Sequence, residues 1–436
     1  MPEGPLDWRG ERLGDVASVR ISNVDKKSRP LEIPVTLCNY LDAYREDYLD
    51  ESHPYMVATA TASEITKFGV RAGDVLVTKD SETPDDIGIA AVIEAAPDNL
   101  VCGYHLAIVR PTAQINPVWL AKQFGTTHVQ RYLAARATGS TRYGLSNATL
   151  CNLPLLVPRR EEQDRIVEFL SSLDEAIRWT ERLIAKLELM KQGQLDDLLT
   201  RGISEGGALR DPERHPEQFR ESVLGRIPIH WDVTTLGSVA RRITDGTHQA
   251  VRTVSEGEEN IPFLYVSCIR DGEIIWQSAG RIDRATYTTI SKGREPDSGM
   301  VLFTAVGSYG HAAGIHEFTE FAFQRHIACI YPNADLVDSR FLAYWLNGEV
   351  CKRHGDRVAI GNAQRTVTLA ELARYPVAVP PLDEQLAIAG LIRGVDTLLA
   401  DERALLLKSG LLKQGFINDL LTGRVRMTKL SRGDAT

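Results

Sequence analysis

The sequence predicts an α+β protein made of two globular units and two long helices, with one design used twice along the chain. Three observations predict it. The chain matches itself at a constant offset, the matched stretches carry apolar stripes of helical period, and short strand-like runs punctuated by turns precede each stretch. An offset of 222 positions lays Pro154 on Pro376, Pro158 on Pro380, Glu162-Gln163 on Glu384-Gln385 and Asp174 on Asp396. The same offset lays Lys191-Gln192-Gly193 on Lys413-Gln414-Gly415, and Asp197-Leu198-Leu199-Thr200 on Asp419-Leu420-Leu421-Thr422. No gap is needed from Gly139/Gly361 to Thr200/Thr422, which sets chance aside.

Each copy reads as a long helix, over residues 153–203 and 376–425. Prolines and acidic residues stand ahead of both (Pro158, Glu161, Glu162; Pro380, Pro381, Asp383, Glu384), as suits a first turn that lacks donors' partners and favours negative charge. Apolar residues then recur at steps of four and three: Ile166, Leu170, Leu173, Ile177, Ile184, Leu187 and Leu198 in one copy. The other keeps Ile388, Ile392, Val395, Leu399, Leu406, Phe416 and Leu420. A period of about 3.5 residues asks for a partner helix, and the other copy is the natural one. Thr180 aligned with Glu402 and Lys191 with Lys413 are polar interruptions of the seam, the kind that specifies register. Gly193 and Gly415 are expected to mark a close helix approach or a local bend. From periodicity alone, a simple dimerisation coil is the competing reading.

Length allows two or three domains in the 436 residues. A net charge of −8 argues against a free-standing, sequence-blind nucleic-acid binder, though not against a local basic face. Six scattered cysteines (Cys38, Cys102, Cys151, Cys268, Cys329, Cys351) form no C-x-x-C pair and read as reduced, mostly buried thiols of a cytosolic protein. The N-terminal Met-Pro-Glu-Gly has no basic apolar signal, and no apolar run approaches the roughly 18 residues of a membrane span, so a cytoplasmic location with no membrane partner is expected.

Residues 1–152 form the first unit. Strand-like runs cover 33–38, where Pro34 suggests an edge strand, then 73–78, 87–93 and 105–109, with a helix expected from Trp119 to Leu133. Residues 204–230 carry Gly206-Gly207, Asp211-Pro212 and His215-Pro216 with many charges and no apolar period, and read as a linker. The second unit spans 231–375. Trp8 matches Trp231, Leu13-Gly14 matches Leu236-Gly237, Gly73-Asp74-Val75-Leu76 resembles Gly299-Met300-Val301-Leu302, and His105-Leu106-Ala107 resembles His326-Ile327-Ala328. Between these anchors the units diverge, so one frame carries two different surfaces. Residues 426–436 read as a flexible tail.

No catalytic constellation is visible. The chain contains no Gly-Lys dipeptide and hence no phosphate loop, the glycines of 307–314 do not spell a dinucleotide fingerprint, and His316-Glu317 lacks the second histidine of a zincin. Candidate polyanion contacts are visible instead. Two turns at equivalent positions, with Ser140, Thr141 and Arg142 in one and Asn362, Gln364 and Arg365 in the other, offer donors for phosphates and base edges. Arg353 and Arg357 belong to a basic crowd in the second unit that also contains Arg325, His326 and Arg340. Thr247 and His248 stand in a polar turn, and Lys79 and Ser81 in a comparable one in the first unit. An ordinary polar turn or a solvated charged face is the competing reading at each position.

The duplicated Pro-x-x-x-Pro-x-x-x-Glu-Gln lead-ins (Pro154 to Gln163, Pro376 to Gln385) and the duplicated Lys-Gln-Gly to Asp-Leu-Leu-Thr exits make the chain resemble the specificity subunit of Type I restriction-modification systems over essentially its full length. Gly73-Asp74-Val75-Leu76, Gly103-Tyr104-His105 and Asp245-Gly246-Thr247-His248 support the likeness. The resemblance implies two target-recognition domains, 1–152 and 231–375, separated by two long antiparallel coiled-coil helices related by an internal pseudo-twofold repeat. It implies a non-catalytic subunit that binds double-stranded DNA at a bipartite, asymmetric site and directs adenine methylation and restriction by its partners. Those partners are two modification (methyltransferase) subunits and the restriction (motor-nuclease) subunits. S-adenosylmethionine, ATP and Mg would be bound by these partners, with no cofactor, catalytic residue or metal ligand in this chain. The recognition part of a nuclease-methyltransferase, or a coiled-coil scaffold with no DNA role, is the alternative.

Overall fold

In a computed structural model, which describes residues 5–255, 257, 260–270, 272–317, 319–361 and 365–427, both long helices are present, as Arg160–Arg201 and Leu382–Leu421. The chain divides into two compact units, Met1–Arg182 with Arg403–Thr436, and Leu183–Glu402. The division falls inside both helices, so each unit holds one half of each.

The first unit contains a five-stranded sheet in the order Ala17–Ile21, Leu106–Pro111, Val75–Thr78, Ala90–Ile93, Tyr48–Leu49. In the second unit a four-stranded sheet runs Ala240–Asp245, Ile327–Pro332, Val301–Thr304, Ala312–Gly314, which repeats the order of the first four strands of the other sheet. Because successive strand side chains point to opposite faces, each sheet feeds two cores. Val75 and Val77 join a cluster with Trp8, Trp119, Ile166, Leu170 and Leu420, whereas Leu76 joins one with Leu37, Ala58 and Cys102. Val301 and Phe303 pack with Trp231, Trp345, Leu198 and Ile388, and Leu302 packs with Leu264, Phe321 and Phe323.

The strand over Ile33–Cys38 is not an edge strand. It lies between Met56–Ala60 and Leu100–Cys102. Pro34 is tolerated because the parallel neighbour pairs only with Thr36 to Cys38, so at Pro34 one side of the strand carries no ladder to interrupt. The helix expected from Trp119 to Leu133 is two, Pro117–Gln123 and Thr127–Ala134, parted at Gly125 and Thr126. The stretch read as a linker carries a hairpin, Phe219–Ser222 with Gly225–Pro228.

The polar dipeptide at the head of each long helix explains the duplicated lead-ins. Gln163 accepts from Asn116 N at 2.8 Å and donates to the carbonyls of Pro158 and Gln114. Gln385 makes the same set with Asp338 N at 2.8 Å, Pro380 O and Leu336 O. Glu162 and Glu384 each accept from a tryptophan indole, Trp8 and Trp231, both at 3.2 Å. Each glutamate also binds an arginine that follows the end of the other long helix: Arg426 for Glu162 and Arg210 for Glu384. Within the first unit the helices are antiparallel, with Phe169 edge-on to Phe416 and Asp174 bound to Lys413. Within the second, Asp396 binds Lys191 in the same sense.

Of the expected seam, Ile166, Leu170, Leu198, Ile388, Ile392, Leu399 and Leu420 are buried, and Leu173, Ile177, Ile184, Leu187, Val395 and Leu406 half-buried. Phe416 is 37% exposed, and Ile417 is the residue that turns inward there. A methyl group added at Gly193 or Gly415 would meet nothing within 4 Å, so neither marks a close approach. The six cysteines are free thiols, five of them buried. No helix among the described residues is long and apolar enough to cross a membrane.

Candidate nucleic-acid interface

In the first unit, two of the segments singled out from sequence come together. Asp80–Ser81 pairs with Tyr143–Gly144, and the turn between is closed by Thr138 and Gly144 exchanging backbone hydrogen bonds at 3.1 and 2.9 Å. Gly139 is required at its head: its φ is +148° and a Cβ would fall 1.8 Å from the Arg142 carbonyl oxygen. Ser140, Thr141 and Arg142 are exposed on this hydrogen-bonded turn beside Lys79. Lys79 Nζ lies 2.5 Å from Asp80 Oδ2, and His105 Nδ1 lies 2.7 Å from the same oxygen. The Tyr104 ring packs on His105 with centroids 3.6 Å apart. Ser81 is buried, its hydroxyl donating to Thr83 O at 2.5 Å, so it shapes the turn.

The second unit repeats this backbone with different side chains. Ile360 and Thr366 exchange hydrogen bonds at 2.9 and 2.8 Å, and Gly307 N donates to Arg365 O at 2.9 Å. Arg365 lies over the Tyr309 ring at 5.2 Å and its guanidinium reaches Asp356 Oδ1 at 3.1 Å, with Tyr309 donating to the same carboxylate. Asn362 and Gln364 lie outside the described residues. Arg353 and Arg357 stand exposed on the helix Glu349–Val358, Arg353 being 3.5 Å from Glu349. Thr247 is buried, its hydroxyl accepting from Gln249 N at 3.1 Å, while the exposed His248 holds Nε2 2.6 Å from Asp245 Oδ2. Arg325 Nε donates to His326 Nε2 at 3.3 Å. Burial first, then the positive charge of Arg325, hold the His326 imidazole below its usual pKa.

Backbone hydrogen bonds link the two segments of this unit. Arg325 N donates to Thr247 O, Ala305 N to His326 O, and Val367 N to Ala305 O. Sequence reasoning passed over His105 and Arg131 as candidates, and Arg131 occupies on Thr127–Ala134 the place of Arg353 on Glu349–Val358. The 222-residue offset held the signal for Arg131. No group of three or more His, Cys, Asp or Glu among the described residues is placed to hold a metal ion.

The sequence profile of the Type I restriction modification DNA specificity domain matches residues 5–189 and again 228–406. A putative type I restriction enzyme specificity subunit (MjaX) of Methanocaldococcus jannaschii is 25% identical over 436 residues, covering 98% of this chain and 95% of its own. The MjaVIII specificity subunit of the same organism is 22% identical over 434 residues, with the same two coverages. Among solved structures, a chain of a type I R-M system superposes with a TM-score of 0.58 at 18% identity, covering 98% of this chain and 100% of its own. The S subunit of a Type I restriction-modification system from M. genitalium gives a TM-score of 0.53 at 12% identity, over 98% and 99% of the two chains.

Proposed function

Because the chain belongs to the Type I restriction modification DNA specificity family, we propose that it reads a split, asymmetric DNA sequence, one half with each unit, and thereby directs adenine methylation and restriction carried out by partner subunits. Residues 1–152 read one half and residues 231–375 the other. The observation that carries this reading is the repetition of one hydrogen-bonded frame under two unlike sets of exposed side chains, since a duplicated scaffold with divergent surfaces suits the reading of two different half-sites. A helix of about 40 residues measures roughly 60 Å, the length of one to two turns of duplex.

The partners are double-stranded DNA, two modification subunits that bind S-adenosylmethionine, and restriction subunits that use ATP and Mg, all in the cytoplasm. Exposed leucines on the helices support a docking role there. Leu405, Leu407 and Leu411 in the first unit, and Leu386, Leu391 and Leu398 in the second, are each about half or more exposed, apolar positions that partners would cover. Cations of the partners would complete the grip on DNA, which reconciles a net charge of −8 with the role.

The test is to assemble the chain with a modification partner and sequence the methylated bases. Exchange of residues 1–152 for those of a relative should alter one half of the methylated motif and leave the other intact. Both halves changing together, or methylation with no motif, overturns the reading.

A further inference from the structure

The repeated frame separates positions that must be the same from positions that are free to differ, and on the reading proposed above this separates phosphate gripping from base reading. Around the end of the third sheet strand the two units superimpose bond for bond. Lys79 N donates to His105 O at 3.0 Å, as Ala305 N does to His326 O at 2.9 Å. Leu145 N donates to Lys79 O at 2.8 Å, as Val367 N does to Ala305 O at 2.8 Å. Tyr104 N donates to Val24 O at 2.9 Å, as Arg325 N does to Thr247 O at 3.1 Å.

Side chains at these places do not follow the backbone. Lys79 and Asp80 occupy the places held by Ala305 and Val306, so the frame is built in the second unit with no charge there. In the first unit a lysine, an aspartate and a histidine are gathered on one carboxylate oxygen, with only 16%, 23% and 18% of their side chains exposed. Partly desolvating three ionisable groups offsets much of what their mutual attraction contributes to stability. Their presence needs another reason. The second unit moves its charge to the neighbouring loop, where Asp245 holds His248 and Arg325 stands beside His326.

We infer that Lys79, Asp80 and His105 are the base-reading group of the first unit, presenting an ammonium donor beside a carboxylate acceptor to the edge of a G·C pair, and that Asp245, His248 and Arg325 are the base-reading group of the second. A lysine or arginine donates to guanine O6 and N7, and a carboxylate accepts from cytosine N4, which makes this pairing of charges informative in the major groove. Arg131 and Arg353, equivalent in both units, bind phosphates and carry no sequence information.

The experiment uses the full chain assembled with its modification partner. Lys79→Ala with Asp80→Val installs the residues that the second unit already carries on the same backbone, and a thermal melt checks that the fold is kept. Methylated-base sequencing should show one position in one half of the motif relaxed, with roughly tenfold or greater loss of preference, while the other half stays sharp. Arg325→Ala should relax the other half alone, and Arg131→Ala should weaken binding to specific and random duplexes alike, with a salt dependence reduced by about one ion and an unchanged motif. An unchanged motif in both the Lys79/Asp80 and the Arg325 variants, or a motif altered by Arg131→Ala, overturns the assignment. Absence of any motif in the unmodified assembly would instead overturn the underlying function.

Discussion

Lys413 Nζ lies 2.7 Å from Asp174 Oδ1, and their counterparts under the internal repeat, Lys191 and Asp396, meet at 2.6 Å with the helices exchanged. Each long helix thus supplies the lysine for one contact and the aspartate for the other, a reciprocity that only an antiparallel pairing in one register satisfies. The two sites differ in depth. The Asp174 carboxylate is 3% exposed and also binds Lys122 at 2.7 Å, whereas Asp396 is 22% exposed and takes a hydroxyl, Tyr344, in place of that second lysine. Asp174→Asn is expected to cost roughly 2–3 kcal/mol, because it removes the buried anion shared by two lysines and leaves them only the half-exposed Asp47. Asp396→Asn should cost about 1 kcal/mol. Urea titrations of the two variants compare them directly, and equal losses would contradict the difference in burial.

Glu384 predicts an acid-dependent stability. Its carboxylate accepts from Ile203 N at 2.9 Å, Arg210 Nη1 at 2.5 Å and Trp231 Nε1 at 3.2 Å, with His230 Nε2 at 3.0 Å. Burial pushes this carboxyl up, but the bonds from Arg210 and His230 outweigh it and hold it below its usual value. A carboxyl lowered in the folded state contributes fully above its unfolded pKa of about 4.3, and the contribution is lost as pH falls through the folded value. Glu384→Gln should therefore be less stable than the unmodified chain by roughly 3 kcal/mol at pH 7, with the gap closing below about pH 4. Melting curves from pH 7 to pH 3 measure it, and a gap that stays constant would show that the charge is not what stabilises the site.

The frame was legible from the sequence wherever one side chain performs one local task. Glu162-Gln163 and Glu384-Gln385 recur because each glutamine satisfies the same three backbone groups, and such a motif tolerates no drift. Apolar period found the helices for the same reason. What stayed hidden depends on pairings distant along the chain. Nothing near Asp80 announces that His105, 25 residues on, will share its carboxylate, or that Arg365 will be held by Tyr309 and Asp356. Pro34 misled for a related reason: a proline reports only its own missing donor, and the neighbouring strand stops short of it.

Gly193 and Gly415 are helix-interior residues with open space where a Cβ would stand. Neither glycine is needed for packing inside its unit, so alanine at either position should stabilise the isolated chain by about 0.5–1 kcal/mol through backbone entropy and helix propensity. Chemical denaturation of Gly193→Ala and Gly415→Ala decides the matter. A destabilised variant would mean that the helix bends at the glycine in a way a methyl group obstructs.

Arg357 and Arg365 both belong to the basic crowd of the second unit, yet their surroundings predict opposite behaviour. Arg365 is held by Asp356 and the Tyr309 ring, and its own carbonyl accepts from Gly307, so it fastens the turn to the sheet end. Arg357 stands exposed on its helix with no ion-pair partner among the described residues. Arg365→Ala should lower stability by about 1 kcal/mol, the sum of an exposed ion pair and a cation–π contact, and should weaken DNA binding by loosening the turn with little change in salt dependence. Arg357→Ala should leave the melting temperature where it is and lower the number of ions released on DNA binding by about one, uniformly across sequences. Binding isotherms over a salt series, paired with thermal melts, separate the two residues. An Arg357 variant with an unaltered salt slope would remove it from the phosphate-contacting set, and an Arg365 variant with unaltered affinity would show that the turn reaches no DNA.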